Sequence, residues 1–308
     1  MIPKIIWVQD FNTATHPGGA QLTNQYVIDW GKNLGFDIEE CSIYTIDKLG
    51  KDPRYYLMEG DFYIMNNVVH LNKLYPFLIR EIINYKKYIR YEHDYMWMHG
   101  TLYDPEMMRE LFSKSLMNIY LSPLHHEVHQ EKGLGRKDDT IMPSPIDEKV
   151  FRRMSHIERI PNTCIYTGGI TNHKGIINVL NYARKHPEIR FDLVGWIEHP
   201  EVLENAPENV RVIPEIPHNR IAEVLNTYES FIHLPDWNEP FGRSVAEALL
   251  CGCKLIINEK IGFLSFMWNY RNREWLSSML TNTPSSFWKT VNQVMLDNHV
   301  PAVVRRHW

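Results

Sequence analysis

Glu239 and Glu247 are the side chains best suited to chemistry. They sit in the string Asp236-Trp-Asn-Glu-Pro-Phe-Gly-Arg-Ser-Val-Ala-Glu-Ala-Leu-Leu-Cys-Gly-Cys253. Pro240, Phe241 and Gly242 mark a loop, and the residues after them predict a helix over Gly242–Leu250. A helix N-terminus gathers unpaired backbone N–H groups and a partial positive charge, so it suits a phosphate or diphosphate. Glu239 stands beside that anion site and Glu247 lies over a turn further along. Carboxylates accept hydrogen bonds from hydroxyls, so the pair suits a ligand with sugar hydroxyls at one end and ribose hydroxyls at the other. Acids near a helix start also complement the macrodipole with no ligand at all. The full string, with Pro-Phe-Gly-Arg before the helix and Glu-Ala within it, favours the functional reading.

Further constellations fall at other strand–helix joins. Gly18 and Gly19, between the first strand and the first helix, let backbone approach a ligand closely. His93, in Arg90-Tyr-Glu-His-Asp94, closes a strand, and ligands of open α/β sheets bind at the carboxyl ends of strands; Glu92 or Asp94 would orient it. His125 and His129 have the spacing of HExxH, but Glu127 is not next to the first histidine, so no metal is expected. Lys174 ends Tyr166-Thr-Gly-Gly-Ile-Thr-Asn-His-Lys-Gly175, which lacks the glycine that must directly precede a P-loop lysine. Lys86, Lys87 and Arg90, interleaved with Tyr85, Tyr88 and Tyr91, form either a basic aromatic surface for an anionic acceptor or a strand flanked by solvated charge.

The elements that position these residues alternate as βαβ units do. Strands are expected at Ile5–Val8, Asp37–Ile43, Asp61–Met65, Lys87–Tyr91 and Met117–Leu121, then at Thr163–Tyr166, Arg190–Val194, Val210–Val212, Ser230–His233 and Lys254–Ile257. Helices are expected at Gln21–Leu34, Tyr75–Tyr85, Pro105–Lys114, Pro123–Lys132, Gly175–Lys185, Arg220–Thr227 and Gly242–Leu250, with a last one over Pro284–Leu296. Two parallel-sheet domains fit this order, joined through Pro143–Pro161, which holds three prolines. The 308 residues are 44% hydrophobic and 23% charged, as in a globular protein, and a net charge of -4 argues against bulk nucleic-acid binding. Four scattered cysteines imply no disulfide framework and a reducing, cytoplasmic setting. The sequence has no apolar run long enough to span a membrane, and the apolar stretch at its start reads as a buried strand rather than a signal peptide. Peripheral membrane contact stays open.

The Glu239–Glu247 string resembles the E-x7-E signature of the retaining GT-B glycosyltransferases of family 4, and the likeness extends over nearly the whole chain. It is strongest over Thr163–Phe263, where Lys174-Gly175 matches the family's G-R-x4-K-G element and Gly169 stands in the place of its arginine. The resemblance implies an α/β GT-B fold, two Rossmann-like domains facing across a cleft. The implied layout is an acceptor-side domain over 1–145, a linker over 146–161, a nucleotide-sugar domain over 162–283 and a tail over 284–308 packing back on the first domain. It implies transfer of a hexose from a UDP- or GDP-sugar to an unidentified acceptor on a glycan, lipid or nucleic acid, with no metal or other cofactor. Glu239, His93 and Lys174 would be catalytic. Donor contacts would come from Gly18, Gly19, Lys174, Pro214, Glu239, Phe241, Gly242, Arg243 and Glu247, with Arg243 compensating for Gly169. Two alternatives keep the fold: a degenerate sugar-nucleotide-binding or scaffolding subunit, and an epimerase or phosphorylase.

Overall fold

The computed structural model of the protein describes residues 2–16, 18–267 and 272–301. The chain divides into two compact units, one running to Pro145 and resuming at Asn282, the other spanning Ile146–Thr281. In the first, strands β1 (Lys4–Val8), β2 (Asp37–Cys41), β3 (Phe62–Met65), β4 (Tyr88–Tyr91), β5 (Asn118–Tyr120) and β6 (Thr140–Ile141) form one parallel sheet in the order β2-β1-β3-β4-β5-β6. In the second, β7 (Ile160–Thr167), β8 (Arg190–Val194), β9 (Val210–Ile213), β10 (Tyr228–His233) and β11 (Lys254–Ile257) form a parallel sheet in the order β11-β10-β7-β8-β9. Helices between the strands are α1 (Gly19–Asn33), α2 (Pro53–Glu59), α3 (Val69–Leu74), α4 (Pro76–Tyr85), α5 (Pro105–Lys114), α6 (Pro123–Glu131), α7 (Ile176–Lys185), α8 (His218–Thr227) and α9 (Arg243–Cys251), and α10 (Arg273–Asp297) follows β11.

The central strands are continuous apolar runs because helices cover both faces of a parallel sheet: Ile5, Ile6, Trp7 and Val8 are all fully buried. Three helices start alike, with proline in the first turn behind a side-chain cap. Asp52 accepts the Arg54 N–H, Asp104 those of Glu106 and Met107, and Ser122 that of His125. The seven-residue α2 and six-residue α3 were not expected, since fewer than two turns leave no readable period.

Two segments depart from the sequence reading. Residues 146–159 are irregular but packed on the second unit: Ile146 and Phe151 are buried, Arg153 donates to Asn226, and Arg159 to the Cys251 carbonyl. The last helix begins at Arg273 and carries Pro284 in its interior, although proline was read as its start. An interior proline costs about 3 kcal/mol, and the buried Leu276, Leu280, Phe287, Trp288 and Val291 supply the opposing packing. The expected end of the tail, residues 303–308, lies outside the described residues.

Trp288 anchors the resumed chain to the first unit. Its indole N–H donates to the Val27 carbonyl at 2.7 Å, its ring stacks on Phe36 at 4.5 Å, and it fills the space a side chain at Gly31 would need. Trp288→Ala is expected to lower unfolding stability by about 3–5 kcal/mol, read as a fall in the denaturant midpoint. An unchanged midpoint would show the contact to be idle.

Candidate functional site

The chain leaves β10 at His233 and turns through residues 234–241 into α9. This turn is tied down along its length by the segment after β11. The Glu239 N–H donates to the Lys260 carbonyl (2.7 Å), the Gly262 N–H to the Glu239 carbonyl (3.0 Å), and the Phe263 N–H to the Phe241 carbonyl (2.7 Å). Phe241 is buried edge-on against Phe263. Gly242 precedes the helix at φ 83°, where only glycine is at ease, and a Cβ there would come within 2.7 Å of Ile261. No side chain caps α9 and its first turn holds no acid; the N–H groups of Val245 and Ala246 turn back to the Gly242 carbonyl at 3.0 and 3.3 Å.

Glu239 is buried, and one of its oxygens collects three donors. Lys174 Nζ lies at 2.7 Å, Trp237 Nε1 at 3.1 Å and His233 Nε2 at 3.2 Å from Oε1. Burial alone would raise this carboxyl's pKa, but the Lys174 charge and the His233 contact overcome it and hold the group well below the usual carboxylate range. Lys174 also sits over the Trp237 ring, 4.8 Å from its centre. Glu247 is likewise buried, and its Oε1 faces Arg243 Nε at 2.8 Å and His218 Nε2 at 3.3 Å. Each carboxylate is therefore an acceptor held in one orientation by its donors.

Lys174 is presented by the loop between β7 and α7. Gly175 turns that loop at φ 76°, with the Leu234 carbonyl oxygen 1.8 Å from where a Cβ would stand. Gly169 is filled differently. A Cβ there would lie 2.8 Å from the indole of Trp196, so any larger side chain would have to displace that ring. Arg243, in the first turn of α9, sets its Nε 2.8 Å from Glu247 Oε1. Pro214, at the exit of β9, is exposed.

Within the first unit, Gly18 is the N-cap residue of α1, a helix with neither a side-chain cap nor an acid in its first turn; Gly18 and Gly19 are both exposed. His93 is buried past the end of β4, edge-on to Tyr91 at 4.3 Å. The Glu92 carboxylate is taken up by Arg90 and by the backbone N–H groups of His93 and Asp94, while Asp94 accepts the Tyr95 N–H and faces His99 at 3.8 Å. The basic aromatic surface does not form. Arg90 is fully buried, paired with Glu92 and set over the Phe112 ring, and Tyr88 and Tyr91 are core residues. Lys86 and Lys87 instead cover the carbonyls of Leu57 and Asn298. His125 and His129 are also core groups, packed edge to face at 4.7 Å, and burial pulls both pKa values down, that of His129 to about 3. Among the described residues, no group of three or more histidine, cysteine, aspartate or glutamate side chains is arranged to hold a metal ion.

The structure thus gathers Glu239 with Lys174 and, separately, Glu247 with Arg243. Sequence reading did not assign roles to His233, Trp237 and His218. The first two had a visible signal, a strand end and a loop directly ahead of Glu239. His218 had none, because it meets Glu247 only through the packing of α8 against α9.

A fold like this one recurs in solved structures. Sucrose-phosphate synthase from Thermosynechococcus elongatus matches with a TM-score of 0.69 at 12% identity, covering 96% of this chain and 98% of that one. HepE of Anabaena, solved with UDP and glucose, matches with a TM-score of 0.63 at 14% identity, covering 96% and 99%. AviGT4, a glycosyltransferase involved in avilamycin A biosynthesis, gives 0.63 at 14%, covering 96% and 98%. Identities this low carry the fold alone, two parallel-sheet α/β units of the GT-B kind. No curated protein matches the chain. The family model for glycosyl transferases group 1 matches residues 147–303, half of the chain and all of the site around Glu239. The chain belongs to the glycosyl transferases group 1 family and is a glycosyltransferase.

Proposed function

We propose that the protein transfers a hexose from a UDP- or GDP-sugar to an acceptor hydroxyl, with retention at the anomeric carbon and without a metal. The observation that carries this reading is the 2.7 Å Lys174–Glu239 pair, in the same loop system as the uncapped start of α9. The α9 N–H groups and Lys174 hold the donor diphosphate and stabilise the charge left on it, a preorganised electrostatic effect of the kind that dominates many enzymes. The electron pair of the broken sugar–oxygen bond stays on the departing diphosphate, whose oxygen takes the acceptor proton as the acceptor oxygen bonds the same face of the sugar. Glu239, with backbone from Phe241 and Gly242, accepts hydrogen bonds from the sugar hydroxyls. Its depressed pKa makes it a poor base, which supports a binding role. Glu247, oriented by Arg243 and His218, accepts from the ribose, and the backbone around Pro214 meets the base. Gly18, Gly19 and His93 are assigned to the donor on family resemblance alone.

The acceptor classes to screen are glycans, lipids and nucleic acids, and the burial of Arg90 counts against the last. Among the described residues no helix is long and apolar enough to cross a membrane. The four free, buried cysteines fit the cytoplasmic setting we assign, with or without a membrane surface nearby.

The test is a thermal-shift panel of UDP, GDP, ADP, CMP and their sugars, with EDTA present. UDP-glucose leads the panel because HepE was solved with UDP and glucose. One nucleotide class should stabilise the protein, by about 2.7 kcal/mol at a hundred times its dissociation constant, and its sugar should then be turned over by acceptor. Binding without turnover across a broad acceptor screen would assign a sugar-nucleotide-binding subunit instead. Turnover without acceptor would assign an epimerase, and sugar phosphate formed with free phosphate a phosphorylase.

A further inference from the structure

Trp196 is an exposed tryptophan at the carboxyl edge of the second sheet, with 52% of its surface accessible. It follows β8 directly after Gly195 and is held from several sides. Its backbone carbonyl accepts the Ile170 N–H at 2.8 Å, and the Glu198 N–H donates to the Ile170 carbonyl at 3.3 Å, so the loops after β7 and β8 are zipped together. Its indole lies against the bare backbone of Gly169, whose carbonyl is held in turn by the Tyr166 hydroxyl at 2.6 Å. The ring is thus held against backbone along its Nε1–Cε2–Cζ2 side while much of the residue remains in water. A large aromatic fixed in this way pays little entropy to meet a ligand.

The strand order says which ligand part it would meet. Neighbouring strands run β10-β7-β8-β9, and the loops at their carboxyl ends carry Glu239, Lys174, Trp196 and Pro214 in turn. Adjacent strands lie about 4.8 Å apart, so Trp196 stands one strand beyond the diphosphate lysine and one short of the base loop. We propose that Trp196 is a stacking platform for the nucleobase of the donor, and that Gly169 is glycine because the indole occupies the space of its side chain. This rests on the nucleotide-sugar reading of the same site. A π-face binds any base without reading its edge, so the contact adds affinity for the nucleoside part and none for the diphosphate.

The experiment compares wild type, Trp196→Ala and Trp196→Phe by calorimetric titration with UDP, or whichever nucleoside diphosphate the panel selects, and with inorganic pyrophosphate. Stacking on an aromatic side chain accounts for about a tenfold or larger change in affinity. Trp196→Ala should therefore bind the nucleotide at least tenfold more weakly while pyrophosphate affinity stays at the wild-type value, and Trp196→Phe should recover most of the loss. Nucleotide should also quench fluorescence in wild type more than in Trp196→Phe. Equal nucleotide affinity in wild type and Trp196→Ala overturns the inference and leaves the donor reading intact. A parallel loss of pyrophosphate binding also overturns it, since the ring would then only shape the Gly169 loop. Absence of any nucleotide binding by wild type overturns both.

Discussion

Glu239→Gln is expected to lower kcat/KM about a hundred- to a thousandfold, the scale seen when one preorganised electrostatic group is removed. The substitution keeps the shape and deletes the charge. Oε1 accepts from Lys174, Trp237 and His233, and an amide oxygen could keep those bonds only at lower strength. An amide nitrogen turned the same way would face three donors. Breaking a buried pair costs about 3–5 kcal/mol in stability, and the low end applies because the Lys174 side chain is 29% exposed. The pH dependence fixes the sign. The folded-state pKa of Glu239 is depressed below its unfolded value, so its contribution is full above the unfolded value of about 4.3 and disappears as pH falls through the folded one. The stability gap between wild type and Glu239→Gln should be constant from about pH 6 to 8 and should narrow below about pH 4. Steady-state kinetics with saturating acceptor, together with denaturant titrations across that range, check both statements. A kcat/KM within twofold of wild type would remove Glu239 from the site.

The carboxylate pair was legible because its signal is local. Loop residues, a helix start and two acids fall within one stretch, and backbone geometry alone relates them. Strand positions were legible for the same reason: in a doubly covered parallel sheet every residue of Ile5–Val8 is buried, so the apolar run is its own signature. What could not be read depends on neighbours distant in sequence. Lys174 meets Glu239 across 65 residues because β7 and β10 lie side by side as parallel neighbours, and His218 meets Glu247 across 29. Nothing near Gly169 announced that an indole 27 positions on would claim its space. Arg90 misled for a related reason. A charge between tyrosines reads as a surface, yet its own neighbour Glu92 neutralises it inside the core, and only a tertiary arrangement decides which of the two occurs.

Lys174→Met should separate the two tasks proposed for this lysine. The thioether keeps much of the stem and loses the ammonium, so nucleoside diphosphate affinity is expected to fall by about 1.5–3 kcal/mol, the worth of a hydrogen bond to a charged group, or roughly ten- to a hundredfold. The corresponding nucleoside should bind as to wild type, because it carries no phosphate for the ammonium to hold. Glu239 also loses its largest favourable charge contact, so its carboxyl should titrate higher than in wild type and kcat/KM should acquire an acid limb at higher pH. The double variant Lys174→Met/Glu239→Gln should then be less impaired than the product of the two single effects, because each substitution removes what the other had left unpaired. Equal losses for nucleoside and nucleoside diphosphate would mean that Lys174 only props the loop, and a strictly additive double variant would mean that the 2.7 Å pair contributes nothing to turnover.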